Sequence, residues 1–195
     1  MAGNAVTYHN DPEVLVLEEL DSRLAGAKAI YVAVPITSGK RLWDLASRLG
    51  ESNLDCIRYR RPKEFEQEVF HPNCVEARSF AEQLARLYPG EPVIDPSVID
   101  IPGWGPEEYS FLWKQVLRTR VRLIALTPGW AYSKGCVEEC VDGLRLGMLV
   151  QALDGMIVEK STARRVLEKV NVEAKELGIQ APFLDVAIQN LSDLG

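Results

Sequence analysis

Apolar residues along this chain follow two patterns, short continuous runs and longer stretches in which they recur every three or four positions. The continuous runs are typical of strands that are buried on both faces of a parallel sheet. The run at 29–34 is of this kind, and shorter or interrupted apolar segments predict further strands at 92–96, 121–126 and 148–153, with a weaker one at 54–59. The recurrent spacing predicts helices at 11–26, 42–49, 75–87, 106–119, 134–147, 161–177 and 182–191.

Strands that alternate with helices predict a doubly wound α/β domain, Rossmann-like or flavodoxin-like. In such a domain, ligands bind beyond the carboxyl ends of the parallel strands. A length of 195 residues with 47% apolar content suffices for one sizeable core. We therefore predict a single domain with a helical lead-in at 1–28 that is loose over 1–10, an α/β part at 29–153 and a helical extension at 154–195.

The charge balance of the chain is acidic, with a formal net charge of −6 and an isoelectric point near 5.1. Proteins that bind long nucleic acids concentrate positive charge instead. No apolar run reaches the roughly 18 residues of a membrane span, and the acidic start of the chain is unlike a signal peptide. The sequence thus predicts a cytoplasmic protein with neither long nucleic acid nor membrane as a partner.

The four cysteines are scattered along the chain, which predicts reduced thiols. Cys136 and Cys140 lie one helical turn apart and offer half of a metal site. His9 and His71 are the only histidines, and no further cysteine pair lies nearby. The two thiols are therefore predicted to be small core or pocket residues, and we predict no metal site.

The segment 35–41 follows the first predicted strand and combines hydroxyls, a glycine and positive charge. Such a mixture can surround a phosphate, although an ordinary connection from strand to helix has a similar composition. The spacing of a Walker A loop is absent, and so is the dinucleotide fingerprint. We therefore predict no cofactor.

The helix predicted at 134–147 has three faces of different character. Its apolar stripe is expected to pack on the sheet and consists of Val137, Val141, Leu144 and Met148. Its charged face carries Glu138, Asp142 and Arg145. Glu139 lies on a third face, beside the small or apolar residues Gly135, Cys136, Gly143 and Leu146.

Glu139 is therefore the carboxylate that is more sheltered from water, and shelter tunes such a group for nucleophilic or acid/base chemistry. The start of the same helix offers free N–H groups and the positive end of its dipole to an anion. A structural salt bridge from Glu139 to Arg122 or Arg145 is the alternative interpretation.

The order Ser133-Lys134-Gly135, then three residues, then Glu139, with Gly147 eight positions later, resembles a known signature. It is the S-x-G-x-x-x-E motif of the nucleoside 2-deoxyribosyltransferases and of their relatives, the nucleoside 5′-monophosphate N-glycosidases. The segment 30–39 is similar to the first strand and loop of that family. The segment 126–135 most closely resembles its phage- and bacteria-borne branch. Together the similarities cover about 29–150.

The resemblance implies cleavage of an N-glycosidic bond in a nucleoside or a nucleoside 5′-monophosphate. Glu139 would attack the anomeric carbon and form a glycosyl-enzyme, which passes to water or to another base. The residues that would hold the 5′-phosphate or 5′-hydroxyl are Ser133, Gly135, Ser38, Gly39 and Lys40. The aromatic residues that would stack on the base are Tyr31, Trp104 or Trp130.

Three positions depart from the family's pattern. Lys114 lies near the place of an Asp that assists the leaving base, and Arg122 lies near the place of another Asp before the central strand. Val34 replaces a glycine. The acids that can substitute are Glu107, Glu108, Asp95 and Asp100. The second candidate function is therefore a nucleotide or nucleotide-sugar binding module without catalysis.

The resemblance also implies a homodimer or a larger homo-oligomer. The predicted C-terminal helices offer apolar residues for such an interface, namely Val166, Val170, Leu177, Phe183 and Leu184. The alternative is that this tail packs on its own domain.

Overall fold

The computed structural model describes residues 12–194 of the chain. Their strands are β1 (Ala29–Ala33), β2 (Val93–Ile94), β3 (Val121–Leu126) and β4 (Leu149–Ala152). Their α-helices are α1 (Pro12–Leu24), α2 (Lys40–Leu49), α3 (Leu54–Arg60), α4 (Pro62–Phe65), α5 (His71–Leu87), α6 (Pro106–Arg120), α7 (Lys134–Arg145), α8 (Lys160–Glu176) and α9 (Pro182–Asp193). Shorter segments are the 3₁₀ turns Pro96–Val98 and Trp130–Tyr132 and the π-helical stretch Glu66–Phe70. The prediction made for 1–10 lies outside the described residues.

The four strands form one sheet, all parallel, in the order β2-β1-β3-β4. β1 pairs with β3 from Ala29 opposite Val121 to Ala33 opposite Leu126. Every residue of β1 is buried, because helices cover both faces of the sheet. The predicted α/β fold with a parallel sheet is confirmed.

Side chains of β1 alternate between two layers of the core. Ile30 and Val32 belong to a smaller layer that α5 completes with Ala77 and Leu84. Tyr31 belongs to the larger layer, in which α2, α6, α7, α8 and α9 pack. One strand thereby connects α5 on one face of the sheet with α7 on the other.

The strand predicted at 54–59 is wrong, because these residues lie in α3. Asn53 begins that helix, since its side chain accepts a hydrogen bond from the amide of Asp55 at 3.0 Å. Ile57 is the residue of α3 that is fully buried. A central strand needs burial on both faces, and this segment has a single anchored face. The sheet formed by residues 12–194 therefore has four strands instead of five.

The helix predicted at 75–87 begins earlier and contains an irregularity. α4 runs into the π-helical stretch Glu66–Phe70, and α5 follows at His71. The amide of His71 bonds to the carbonyl of Glu66, which is the wider bond that accommodates one extra residue in a helix. The extra residue changes which side chains of α5 face the loops at the end of the sheet.

The helices α8 and α9 pack on the rest of the domain. Val170 and Leu184 are buried within the chain, and Val166 and Phe183 pack against the same core. These residues were candidates for an interface between subunits, and for Val170 and Leu184 the structure shows the alternative, packing on their own domain. Leu177 alone among the five stays 40% exposed.

Candidate active site

The candidate site lies where the chain changes direction across the sheet. From β1 the chain proceeds to β2 on one side, and it then returns to β3 on the other side of β1. The loops that follow β1 and β3 therefore diverge at the carboxyl edge, which is where parallel α/β sheets bind ligands. We call 34–39 the first loop and 127–133 the second loop.

Gly39 closes the first loop and begins α2. Its φ of 90° lies in the region that side chains rarely adopt, and a Cβ at this position would lie 2.6 Å from Cβ of Pro35. A glycine is therefore required for the chain to turn sharply from β1 into α2. The turn brings Ser38 toward the second loop.

Ser133 ends the second loop and caps α7. Its Oγ accepts a hydrogen bond from the amide of Cys136 at 3.4 Å, and it also accepts one from Oγ of Ser38 at 2.8 Å. Two hydroxyls that are distant in sequence thus meet at the N-terminus of a twelve-residue helix. Gly135 is exposed in the first turn of that helix.

Glu139 lies one turn further along α7 and faces β1. Its Oε1 accepts a hydrogen bond from the hydroxyl of Tyr31 at 2.6 Å. The helix comes this close to the sheet at Gly143, where a Cβ would lie 2.4 Å from Cδ1 of Ile124. The helical pattern predicted a sheltered face for Glu139 beside Gly143, whereas the approach of that face to the sheet and the hydrogen bond to Tyr31 were not predicted.

The environment of Glu139 favours its neutral form. Burial raises the pKa of the Glu139 carboxyl to about 8, and the nearby charges of Glu138 and Asp142 act in the same direction. The hydrogen bond from Tyr31 opposes them and lowers that pKa. Protein atoms surround the carboxyl densely, yet part of the side chain remains open to solvent. The carboxyl group is therefore poorly solvated by water.

Tyr31 is suited to remain a proton donor. Burial first, and then the charge of Glu139, raise the pKa of the Tyr31 hydroxyl well above its usual range. The ring has no exposed surface, and it packs against Trp113 with ring centroids 5.6 Å apart. In this conformation Tyr31 contributes its hydroxyl to the site, while its ring is enclosed and offers no face to a base.

The alternative salt bridges of Glu139 are absent. Arg145 pairs with Asp142 at 3.0 Å. Arg122, near the start of β3, pairs with Glu91, which precedes β2. The Glu139 carboxyl has Tyr31 as its recorded hydrogen-bond partner. Its acidity is consequently governed by burial and by a neutral donor instead of by a neighbouring cation.

Lys40 is engaged by acidic side chains on two helices. Its Nζ lies 2.6 Å from Asp44 in α2 and 3.4 Å from Glu173 in α8. Glu173 also accepts a hydrogen bond from Tyr132 of the second loop at 2.5 Å. The ammonium group therefore links the two loops to the C-terminal helices, and it must leave these partners before it can contact a phosphate.

The two candidate tryptophans lie at the edge of the core. Trp104 packs edge to face on Tyr109, with centroids 5.2 Å apart, and Trp130 is half-buried at the start of the 3₁₀ turn of the second loop. Trp130 is separated from the cap Ser133 by two residues. Trp130 is therefore closer in sequence to Ser133 than Trp104 is, which makes it the better of the two candidates for contact with a base.

The acids that can assist a leaving base occupy different places. Glu108 accepts a hydrogen bond from the amide of Gly105 and caps α6. Asp95 follows β2 and accepts one from the amide of Ser97. Lys114, near the position where the resembling family has an Asp, lies 3.7 Å from Glu138. Asp95 and Glu108 thus hydrogen-bond to local backbone amides, and Glu139 has Tyr31 as its recorded partner.

The space between the loops is narrow. A cleft of about 50 Å³ is lined by both loops and by Arg41, Asn73 and Glu76, whereas pockets for small ligands typically exceed about 300 Å³. A wider depression of about 460 Å³ lies along the start of α8. It shares no lining residue with the two loops or with Glu139.

Two further properties concern residues 12–194 as a set. They contain no group of three or more His, Cys, Asp and Glu side chains arranged to hold a metal ion. Cys136 and Cys140 are buried thiols beside Glu139, in the core position predicted for them. None of the described helices is both long enough and apolar enough to cross a membrane.

Comparison of the chain with protein-family models, with curated proteins and with solved structures finds no match. The functional argument therefore rests on the geometry of the site and on the motif in the sequence.

Proposed function

We propose that this protein cleaves the N-glycosidic bond of a nucleoside or a nucleoside 5′-monophosphate, with Glu139 as the nucleophile. The observation that carries the proposal is the hydrogen bond of 2.6 Å between Tyr31 and Glu139. It fixes a poorly solvated carboxyl one turn inside a helix that begins with a serine cap. The motif around Ser133 and Glu139 supports the same reaction.

The proposed chemistry uses the carboxylate form of Glu139. One oxygen forms a bond to the anomeric carbon, the bond from that carbon to the base nitrogen breaks, and its electron pair leaves with the base. The base takes up a proton from solvent, and the water that attacks in the second step returns one to solvent. Water then attacks the anomeric carbon and releases the carboxylate. The transition state resembles an oxocarbenium ion, and an anion in a site of low polarity stabilises such a cation strongly.

The raised pKa has a consequence for this mechanism. With a pKa of about 8, about a tenth of Glu139 is ionised at pH 7. Activity is therefore expected to rise with pH through the region near pH 8. If the neutral form served as a general acid instead, activity would fall through the same region.

The sugar end of the substrate is proposed to lie at the start of α7. There the hydroxyls of Ser38 and Ser133 exchange their mutual hydrogen bond for bonds to a 5′-hydroxyl or a 5′-phosphate. The backbone N–H groups of the first turn add donors. Lys40 contributes only after it leaves Asp44 and Glu173, so we expect the hydroxyls to dominate recognition.

A binding module without catalysis is the second candidate. It is favoured by a specific observation, namely that two of the four acids proposed to protonate the leaving base, Asp95 and Glu108, cap a local turn and a helix. Such a module would bind the nucleotide at the same loops and leave it intact.

Chromatography of free base separates the two candidates. The protein is incubated with nucleosides and their 5′-monophosphates, and released base is measured for the wild type, Glu139→Gln and the neighbouring Glu138→Gln. We expect Glu139→Gln to lose at least about a thousandfold in rate, because loss of a nucleophile has effects of that size or larger. Glu138→Gln is expected to retain activity. Intact-protein mass spectrometry of a trapped sugar adduct on the wild type, absent from Glu139→Gln, tests the covalent step.

The opposite results have clear meanings. Equal activity of wild type and Glu139→Gln would exclude the nucleophile. Stabilisation by the nucleotide without any release of base would favour the binding module.

A further inference from the structure

Asn73 is a buried polar residue that the motif and the proposed chemistry do not use. It lies in the first turn of α5 and is 3% exposed. Its Nδ2 donates to the carbonyls of Ile36 and Ser38, both at 2.9 Å. A single amide group therefore holds two carbonyls of the first loop, on either side of Thr37.

Arg41 fixes the orientation of that amide. Its Nη1 donates to Oδ1 of Asn73 at 2.9 Å, and its two terminal nitrogens also bind the carboxylate of Glu76 at 2.7 and 2.5 Å. Such a fork of parallel bonds is rigid. The hydrogen bond from Arg41 also holds the pKa of Glu76 below its usual value. With Oδ1 turned to Arg41, the NH₂ group of Asn73 must face the loop.

The irregular helix before α5 accounts for the position of Asn73. The π-helical stretch Glu66–Phe70 adds a residue to the turn, and the next helix begins at His71, two residues before Asn73. Without the added residue, the side chain at 73 would be rotated by roughly 100° about the helix axis. Helices with such insertions often carry functional groups at them.

The clamp is connected to the candidate site through Ser38. The carbonyl of Ser38 is held by Asn73, while its hydroxyl donates to Ser133 at the cap of α7. Gly39 is the next residue, and its carbonyl accepts hydrogen bonds from the amides of Leu42 and Trp43 in the first turn of α2. Movement of the loop would therefore displace Ser38 and loosen the start of α2 together.

We propose that Asn73 is a positioning residue that holds the first loop in its binding conformation, so that Ser38 lies opposite Ser133 at the start of α7. The inference rests on the proposed function in one respect, because it assigns substrate binding to these two serines. Its structural part, a clamp that preorganises a ligand loop, is independent of which reaction occurs there.

The test uses Asn73→Asp, which keeps the size of the side chain and an acceptor for Arg41 but removes both donors. Asn73→Ala is the second variant, in case a carboxylate facing two carbonyls prevents folding. Asn171→Asp is the matched control, because Asn171 is similarly buried and donates to Asp185, between α8 and α9. Hydrogen exchange by mass spectrometry reports on the amides of Leu42 and Trp43, and base-release kinetics report on KM and kcat.

We expect both Asn73 variants to accelerate exchange in the first turn of α2 by about tenfold, the effect of losing one or two hydrogen bonds. Segments such as α8 should exchange as in the wild type. We also expect KM to rise by about tenfold with kcat changed less than about threefold, because loop order affects binding more than chemistry. Asn171→Asp should leave two quantities unchanged, the hydrogen-exchange rate in the first turn of α2 and KM.

A folded Asn73 variant with unchanged exchange at α2 would overturn the proposal. So would faster exchange spread over the whole chain, or a loss of kcat at constant KM. If the wild type releases no base at all, the proposed function fails, and the exchange measurement still decides whether Asn73 holds the loop.

Discussion

The raised pKa of Glu139 predicts how the stability of the protein depends on pH. Burial raises that pKa from 4.5 to about 8. Between these two values the folded protein keeps its proton while the unfolded chain has lost it. The free energy of unfolding of the wild type should therefore fall as pH rises from 4.5 to 8, and it should level off above pH 8.

The size of the effect follows from the same interval. Each pH unit contributes about 1.4 kcal/mol, so the full interval sets an upper bound of about 5 kcal/mol. Glu139 retains partial access to solvent, which relaxes the penalty, and we expect a loss of about 2–4 kcal/mol. Glu139→Gln carries no charge at any pH and should lack this decline. Its buried NH₂ group shifts the whole curve by a constant amount, so the slope decides the test.

Urea unfolding followed by tryptophan fluorescence, repeated from pH 4.5 to pH 9, measures the difference between wild type and Glu139→Gln. The difference is expected to grow with pH in favour of the variant. Glu138→Gln is the control and should keep most of the decline, because burial, the largest cause of the raised pKa, is unchanged and only the smaller contribution of the Glu138 charge is lost. A flat difference between pH 4.5 and pH 8 would refute the raised pKa, and a difference that grows in favour of the wild type would show a stabilised carboxylate instead.

Two further predictions concern single contacts of the site. Because the hydrogen bond from Tyr31 lowers the pKa of Glu139, Tyr31→Phe should shift the rise of base release, measured as kcat/KM, to higher pH; a shift to lower pH would contradict the assigned role. A Cβ on Gly143 would lie 2.4 Å from Ile124 and 3.1 Å from Val150, so Gly143→Ala should lower the free energy of unfolding by about 1–3 kcal/mol in urea titrations. Gly135→Ala is the matched control, since its nearest recorded atom is 4.0 Å away, and equal losses in both variants would contradict the close approach of α7 to the sheet.

Local patterns in the sequence predicted much of this architecture. The run at 29–34 is apolar without alternation, as burial on both faces of a parallel sheet requires, and 121–126 is apolar except for the exposed Arg122. The spacing of residues in 134–147 predicted which face of α7 Glu139 occupies, because a helix repeats every 3.6 residues whatever its surroundings. Ser133 was placed in the loop at the start of that helix, and the structure shows that it is the cap.

The identity of α3 depended on contacts that no local pattern reports. Residues 54–59 are short and only weakly apolar, so either a strand or a helix fits them, and the cap at Asn53 together with one buried contact at Ile57 decided for the helix. The tail was equally ambiguous. Its apolar residues fit a partner subunit or their own domain, and the tertiary structure shows that Val170 and Leu184 pack on their own domain.

The chemistry of the candidate site required residues that are distant in the chain to meet. Tyr31 and Glu139 are 108 positions apart, and the pairing of Lys40 with Glu173 joins the start of α2 to α8. The clamp at Asn73 depends on the π-helical stretch Glu66–Phe70, which changes the direction in which the following side chains point. The spacing of apolar residues in the sequence does not reveal such an insertion. Periodicity along the chain identifies the face a residue occupies, whereas the side chain that it meets there depends on how the helices and strands pack in three dimensions.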